Sequence, residues 1–230
     1  MAQAFFITGT DTDAGKTTIT AGLLCAAQQL QRSTLAMKPV ASGCEHSAQG
    51  LRNSDALALM AQSSVQLPYA QVNPYAFAPA IAPHIAAQEA GVELGVTALY
   101  QAAQGVLQAG ADITLIEGAG GWRVPISATE FLSDFAIALN IPVILVVGIK
   151  LGCINHALLT AQAIRQDGLQ LAGWVANIID PNCARLDDNL ATLELHMNAP
   201  CLAQVPYLAD ASAEQVAVHV QPAWQTLLEL

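Results

Sequence analysis

The stretch "GTDTDAGKT", Gly9–Thr17, is close to the pattern of a phosphate-binding loop. That pattern is a glycine, four further residues, and Gly-Lys followed by Ser or Thr. Counted back from Gly15, the first glycine belongs at position 10, where the chain has Thr10. The apolar run "AFFIT" precedes the stretch and an Ala/Leu-rich helical pattern follows it. This context favours an altered but working nucleotide site, with a wider loop that reaches a second substrate, over a surface turn with a chance Gly-Lys-Thr.

Five apolar runs are typical of buried strands: "AFFIT", "TLAMKPV", "ITLIEG", "PVILVVG" and "LAGWVANI", with "APCLAQVP" as a weaker sixth. They are continuously apolar, as expected where helices cover both faces of a parallel sheet. Helical patterns separate most of them, at Thr18–Gln31, along Val96 to Leu107 and in "INHALLTAQAIRQDG". The alternation predicts one α/β domain over residues 1–230, a doubly wound, mostly parallel sheet flanked by helices, like that of P-loop NTPases. The stretch Gln66–Ala90, with four prolines, predicts an extended segment and a short helix beside the sheet.

The composition disfavours several classes of binding partner. The chain has 230 residues, 53% of them hydrophobic, and a net charge of −10, which disfavours non-specific nucleic-acid binding and anionic membranes. No apolar run approaches the roughly 20 residues of a membrane helix, and the N-terminus lacks the basic start of a secretory signal. These features predict a cytoplasmic protein. Its five scattered cysteines read as reduced, with a reactive Cys44 as the less favoured alternative.

The chain has only three lysines, Lys16, Lys38 and Lys150, and each ends an apolar run. In doubly wound sheets, ligands bind beyond the carboxyl ends of the strands. The lysines and the carboxylate of Glu117 are therefore expected on one edge of the sheet, where they suit a ligand rich in anionic oxygens.

Each of these side chains has a role in nucleotide chemistry and a structural alternative. Lys16 suits the β- and γ-phosphates, Thr17 offers a hydroxyl to Mg²⁺, and Gly15 permits the backbone angles of the cradle. Glu117 is placed to bind Mg²⁺ or to orient water, or is simply an exposed acid at a strand end. Lys38 would stabilise a developing anion, or would form a salt bridge to a neighbouring acid.

Four further positions carry weaker signals. Ser42 is suited to bind a polar substrate or to cap a turn, and Asp55, after Ser54, is either a site residue or a helix-start acid. The helix that begins between Gly152 and Asn155 presents an N-terminus that suits a carboxylate. Asn177 has the donors and acceptor for an adenine edge, and the acidic residue of a guanine-reading motif is absent from the next two positions.

Several motifs together resemble the dethiobiotin synthetases of biotin biosynthesis, over nearly the whole chain to about Leu208. They are "GTDTDAGKT", "KPVASG", "LRNSDALAL", "VNPYAF", "APHIAA", "EGAGGW", "PVILVVGIKLGCINHALLTAQAI" and "GWVANI". The resemblance implies that 7,8-diaminononanoate, CO₂ and ATP, with Mg²⁺, give dethiobiotin, ADP and phosphate. It implies a carbamate on one amine, its phosphorylation to a carbamic–phosphoric mixed anhydride, and ring closure by the second amine.

The resemblance also implies roles for individual residues. Lys16, Lys38 and Thr12 are the catalytic residues, and Thr17, Asp55 and Glu117 are the Mg²⁺ ligands. The nucleotide contacts are Asp13, Ala14, Gly15, Lys16, Thr17, Thr18, Asp55, Glu117, Gly118, Ala119, Gly120, Asn177, Pro206, Tyr207 and Leu208. The substrate contacts are Thr12, Lys38, Ser42, Gly152, Cys153, Ile154 and Asn155, the last four reached across a homodimer interface.

Departures from the family pattern are modest, and Arg123 and Val124 lie where variation is expected. Two other classes compete with this interpretation. A nucleotide-dependent switch of the partitioning or metal-insertion type usually has a second lysine early in the phosphate loop, and Thr10 to Asp13 contains none. An amidotransferase-coupled synthetase normally needs a glutaminase domain, for which 230 residues leave little room.

Overall fold

Ten strands and ten helices make up the computed structural model, which describes residues 2–230. The strands are β1 (Gln3–Gly9), β2 (Thr34–Met37), β3 (Val40–Ala41), β4 (Glu45–Ser47), β5 (Gly50–Arg52), β6 (Tyr75–Ala76), β7 (Ile113–Glu117), β8 (Val143–Ile149), β9 (Leu171–Ile178) and β10 (Cys201–Val205). The helices are α1 (Lys16–Gln29), α2 (Ser54–Ala61), α3 (Tyr69–Val72), α4 (Pro83–Glu89), α5 (Val96–Leu107), α6 (Leu132–Leu139), α7 (Cys153–Gln166), α8 (Leu186–His196), α9 (Ala213–Val220) and α10 (Ala223–Leu227).

Six of the strands form one parallel sheet in the order β10-β9-β8-β1-β7-β2. Every residue of β7 and β8 is buried, as the continuous apolar runs predict for strands covered on both faces. Helices α1, α2, α9 and α10 pack on one face, and α5 to α8 pack on the other. The predicted doubly wound α/β fold is confirmed, including the weaker sixth strand.

The strand order determines at which edge of the sheet the site lies. Strands β1, β7 and β2 are neighbours, so the segments that follow Gly9, Glu117 and Met37 emerge side by side at one edge. The second strand is shorter than "TLAMKPV" suggests, because Pro39 follows Lys38 and has no N–H to continue the ladder. Val40 and Ala41 instead pair with β6 in a small separate sheet.

The last twenty residues complete the core on the α1 side. Helix α9 packs closely against α1, where Gly22 leaves room for Val216. The Trp224 indole donates a 3.0 Å hydrogen bond to the Leu23 carbonyl and packs edge-on against Phe5. This segment therefore stabilises the helix that follows the phosphate loop. Within residues 2–230, no helix has the length and apolar character needed to span a membrane.

Candidate functional site

The phosphate loop joins β1 to α1. Gly15 is the N-cap of α1 with φ +85°, a left-handed conformation that favours glycine. The first N–H groups of the helix have no partner within it, which makes this end a site for anions. A Cβ at Gly9 would lie 3.0 Å from the Lys16 Cγ, so the early glycine leaves space for the lysine stem. Lys16 Nζ donates to the Asp11 carbonyl at 2.9 Å.

A buried cluster around Lys38 joins three of the strand ends. Lys38 Nζ lies 2.7 Å from Glu117 Oε1 and 3.2 Å from Asp55 Oδ2, and it donates to the Gly118 carbonyl at 3.2 Å. The Thr17 hydroxyl donates to the same Glu117 oxygen at 2.8 Å. Lys38 is 4% exposed and Glu117 is fully buried, so solvent screens these charges little. The salt bridge considered for Lys38 is present, within the same cluster that would face a ligand.

The pKa values of Lys38 and Lys16 are shifted in opposite directions. Burial acts to lower the pKa of Lys38, but the carboxylates of Glu117 and Asp55 outweigh it, and the pKa is raised. Burial, followed by repulsion from Lys38, lowers the pKa of Lys16 to about 8. Lys38 is therefore protonated at neutral pH. Lys16 has a pKa closer to neutral, and a bound anion would stabilise its protonated form.

Thr17, Asp55 and Glu117 offer the hard oxygen donors that Mg²⁺ prefers. Glu117 Oε2 is buried and has no hydrogen-bond partner, which is the feature expected of an atom that awaits a ligand. Among residues 2–230, no group of three His, Cys, Asp or Glu side chains could hold a metal ion alone. The residues present fit a Mg²⁺ ion that takes its remaining ligands from phosphate and water.

An open cleft of about 920 Å³ lies beside this cluster. Half of the predicted site residues line it: Thr12, Asp13, Gly15, Lys16, Thr17, Thr18, Lys38, Ser42, Asp55, Ala119 and Gly120. Ser42 Oγ is buried without a hydrogen-bond partner, so it can bind a polar group of a ligand. The volume is large enough for a second molecule beside the phosphates.

Asn177 lies behind the phosphate loop and outside the cleft. Its Nδ2 donates to the Ala14 carbonyl at 3.0 Å, so the side chain braces the loop in addition to its predicted adenine role. Asn177 is paired in register with Val205. The predicted adenine contacts Pro206, Tyr207 and Leu208 therefore continue from the strand next to Asn177.

The start of α7 also lies outside the cleft. Gly152 is its N-cap, so the helix begins at Cys153, within the predicted range. Lys150 Nζ is 3.7 Å from Asp11 Oδ2, with both side chains exposed, and Leu151 is 95% exposed. A carboxylate bound at Gly152–Asn155 of this chain would not be held in the same chain's cleft.

The structure adds cleft residues that sequence reasoning did not assign. Arg123 lines the cleft, although it was expected only to vary. Its guanidinium bonds Asp167 Oδ1 at 2.7 Å and the Ser133 hydroxyl at 3.0 Å. The signal available in the sequence was its position directly after "EGAGGW". Ala80, Ile81, Ala82 and Pro83 form another wall, just before and within the quoted "APHIAA".

The reactive-thiol alternative for Cys44 is wrong. The side chain is buried, with 5% exposed, and burial raises its pKa. A buried, protonated thiol is a packing residue, not a nucleophile.

Curated proteins similar to this chain share one name. A family model described as "AAA domain" matches residues 3–215. The chain is 63% identical over 217 residues to "ATP-dependent dethiobiotin synthetase BioD" of Pseudomonas aeruginosa (strain UCBPP-PA14), covering 94% of this chain and 95% of that protein. Proteins of the same name match at 55% identity in Cellvibrio japonicus, covering 95% of both chains, and at 49% in Pseudoalteromonas translucida, covering 99% of this chain and 97% of that one.

Solved structures share the fold at low sequence identity. The septum site-determining protein MinD with Mg-ADP from Pyrococcus horikoshii OT3 superposes with a TM-score of 0.58 at 16% identity, covering 98% of this chain and 96% of that chain. The MinC:MinD complex of Aquifex aeolicus gives 0.64 at 13% identity, covering 100% and 96%. These neighbours share the arrangement of the sheet and its helices.

Proposed function

The chain belongs to the ATP-dependent dethiobiotin synthetases, ligases of biotin biosynthesis, and from that premise we propose a reaction course for it. The substrates are 7,8-diaminononanoate, CO₂ and ATP, and the products are dethiobiotin, ADP and phosphate. The observation that carries the proposal is the convergence of Lys16, Lys38 and Thr17 at the wall of a cleft with room for a second molecule. The buried Glu117 contacts both Thr17 and Lys38.

The chemistry proceeds in three steps, an addition followed by two displacements. One amine nitrogen attacks the carbon of CO₂ and loses a proton, which gives a carbamate. A carbamate oxygen then attacks the γ-phosphorus, and ADP leaves with the electrons of the broken P–O bond. The second amine nitrogen attacks the carbonyl carbon of this mixed anhydride, phosphate leaves, and loss of a proton completes the cyclic urea.

No protein nucleophile takes part in these steps. The protein is therefore needed to position the reactants and to stabilise the negative charge that develops. Lys16 lies at the start of α1 and would bind the β- and γ-phosphate oxygens. Lys38 is a buried cation between the phosphate loop and the Ser42 side of the cleft, where it would hold the carbamate and γ-phosphate oxygens together. Thr12 and Ser42, both on the cleft wall, would contact the diamine and its carbamate.

The proposal includes one magnesium site, held by Thr17, Asp55 and Glu117. When bound, Mg²⁺ would neutralise phosphate charge and fix the orientation of the transferring group. The unpartnered Glu117 Oε2 supports this assignment. The adenine would lie against Asn177 and Pro206–Leu208, at the ends of β9 and β10.

The proposal also includes a homodimer that works in the cytoplasm, where ATP is available. Leu151 and Leu159 on and beside α7 are 95% and 58% exposed, apolar surface that a second chain would cover. Such packing would bring Gly152–Asn155 of one chain to the cleft of the other, where the free N–H groups would bind the substrate carboxylate.

One assay tests the proposed reaction. The protein is incubated with ATP, Mg²⁺, bicarbonate and 7,8-diaminononanoate, and dethiobiotin is measured by mass spectrometry, with omission of the diamine as the control. We expect product and ADP in equal amounts. Absence of product, together with ATP hydrolysis that is indifferent to the diamine, would reject the proposal in favour of a nucleotide-dependent switch.

A further inference from the structure

The segment that contains α3 forms hydrogen bonds with the backbone of Lys38. Strand β2 ends at Met37, so Lys38 lies beyond the ladder of the main sheet. Its backbone N–H donates to the Val72 carbonyl at 2.8 Å, and its carbonyl accepts from Asn73 Nδ2 at 2.7 Å. Both backbone groups of the site lysine are therefore fixed by residues of the proline-containing stretch.

The same segment holds the start of α2 through one hydroxyl. Tyr69 Oη accepts a 2.7 Å hydrogen bond from the Asn53 backbone N–H and donates one of 2.8 Å to Asn73 Oδ1. Asn53 is the N-cap of α2, with its Oδ1 accepting from the Ala56 N–H at 3.1 Å. Asp55 lies in the first turn of that helix, so its position depends on the Asn53 backbone.

Two members of this network are buried, and Tyr69 is partly buried. Asn53 is 5% exposed and Asn73 is 2% exposed, and the Tyr69 hydroxyl is bonded on both sides. The Arg52 guanidinium lies 4.1 Å from the centre of the Tyr69 ring. Buried polar groups that satisfy one another restrict a site to one geometry. The network links the lysine and the acid whose side chains meet at 3.2 Å, Lys38 and Asp55.

We propose that Tyr69 is a positioning residue of the nucleotide–magnesium site, which acts by holding the start of α2, and hence Asp55, in register with Lys38. This inference rests on the proposed function only in taking Asp55 as a Mg²⁺ ligand. Tyr69 itself lies outside the cleft wall and contacts no reacting group. Its hydroxyl fixes the separation of Lys38 and Asp55, the two groups that are proposed to contact the ligand.

The test compares the affinity for the ATP analogue AMPPNP in Mg²⁺ and in EDTA, by calorimetry. The ratio of the two affinities measures the coupling of metal to nucleotide. In Tyr69→Phe, which keeps the ring and loses only the hydroxyl, we expect this ratio to fall by roughly 3- to 10-fold, as for one lost hydrogen bond. Affinity in EDTA should be unchanged. Tyr100→Phe, at an exposed tyrosine, is the matched control and should change neither value.

A double variant separates positioning from general support of the fold. In the Asp55→Asn background, Tyr69→Phe should cause no further fall in the ratio. An equal further fall there, or an equal loss in Mg²⁺ and EDTA, would overturn the inference, as would an unchanged ratio in Tyr69→Phe.

Should Tyr69→Phe not fold, a pair of changes at Asn53 tests the link on which the inference depends, from the start of α2 to Asp55. Asn53→Ala removes the N-cap acceptor and should lower the ratio, whereas Asn53→Ser keeps an acceptor and should restore most of it. Equal ratios in the two Asn53 variants would overturn the inference. Because AMPPNP binding needs no diamine, failure of the dethiobiotin assay would leave this result distinct from the fate of the proposed reaction.

Discussion

Lys38 Nζ and Glu117 Oε1 are 2.7 Å apart, and the sheet register explains why. Met37, the last residue of β2, pairs with Ile116 of β7, so Lys38 and Glu117, which follow them in the chain, emerge side by side. A lysine and a glutamate that are 79 positions apart in sequence thus form a buried pair at the cleft. The acid keeps the lysine charged, and its second oxygen remains free of hydrogen bonds.

Replacement of Lys38 tests the electrostatic role. We expect Lys38→Ala to lower turnover by at least about 10²-fold, as for loss of a preorganised charge at a developing anion. The measurement is the rate of dethiobiotin formation at saturating substrates, with the exposed Arg32→Ala as control. Near-normal turnover in a folded variant would assign Lys38 to structure alone.

Loss of Lys38 also leaves Glu117 as an unpaired buried carboxylate. Removal of one partner of such a pair costs about 3–5 kcal/mol. The double variant Lys38→Ala/Glu117→Gln should therefore recover much of the thermal stability without recovering turnover, which separates the two roles of the lysine.

Glu117→Gln tests the magnesium ligand. The amide keeps an acceptor for the Thr17 hydroxyl but loses the charge that a divalent cation needs, so the Mg²⁺ concentration for half-maximal activity should rise. Glu89→Gln, at an exposed position, is the control. A metal titration identical to that of the unmodified protein would remove Glu117 from the metal shell.

The main sheet was predictable because its strands are buried on both faces and read as continuous apolar runs. The gathering of Lys16, Lys38 and Glu117 followed from one rule, that parallel strands place their carboxyl ends at the same edge. The sheet of β3 and β6 was not predictable, since two residues on each side carry no periodicity and Val40 pairs with the distant Tyr75.

Long-range contacts explain what was missed. Arg123 is held over the cleft by Asp167, a residue 44 positions later that caps the end of α7. No residue near "GGWR" in the sequence indicates that Asp167 is the partner of Arg123. Helix α8 begins after Arg185, a non-glycine residue at φ +55° that makes no side-chain cap, so only the acidic Asp187 and Asp188 of the first turn mark its start.

Gly15 offers a test of the phosphate cradle with an internal control. Gly15 and Gly110 have φ of +85° and +79°, so alanine at either should cost about 1–2 kcal/mol of stability. Only at Gly15 would the new Cβ meet a side chain, at 2.1 Å from Asn177 Nδ2, which breaks the brace to Ala14. We expect Gly15→Ala to weaken AMPPNP binding at least about tenfold, and Gly110→Ala to leave it intact. Equal binding by the two variants would contradict the cradle.

The lowered pKa of Lys16 predicts how nucleotide affinity depends on pH. In the free protein the lysine loses its proton near pH 8, but bound phosphates favour the charged form. Below pH 8 affinity should be constant. Above it binding must take up a proton, so affinity should fall by up to about tenfold per pH unit.

AMPPNP titrations between pH 7 and 9.5 measure this dependence. Lys16→Arg is the control, because guanidinium stays charged throughout and should remove the pH dependence. A constant affinity for the unmodified protein across the whole range would contradict the assignment of Lys16 to the phosphates.

The proposed dimer predicts complementation between two defective chains. Asn155→Asp places a negative charge in the first turn of α7, which stabilises the helix itself but repels a substrate carboxylate. We expect the KM for 7,8-diaminononanoate to rise at least about tenfold with nucleotide affinity unchanged, as for a lost charge-assisted hydrogen bond. Gln166→Glu, at the opposite end of the same helix, should have no such effect.

When Asn155→Asp is mixed with Lys38→Ala and the subunits exchange, each mixed dimer should contain one site with both lesions and one site with neither. At a diamine concentration well below the KM, where Asn155→Asp homodimers contribute little, an equal mixture should then recover about a quarter of normal activity, since half of the dimers are mixed and half of their sites are intact. The readout is dethiobiotin formation before and after exchange, with dimer mass followed by ultracentrifugation. Exchange without recovery would contradict a site shared between two chains, and so would a monomeric protein.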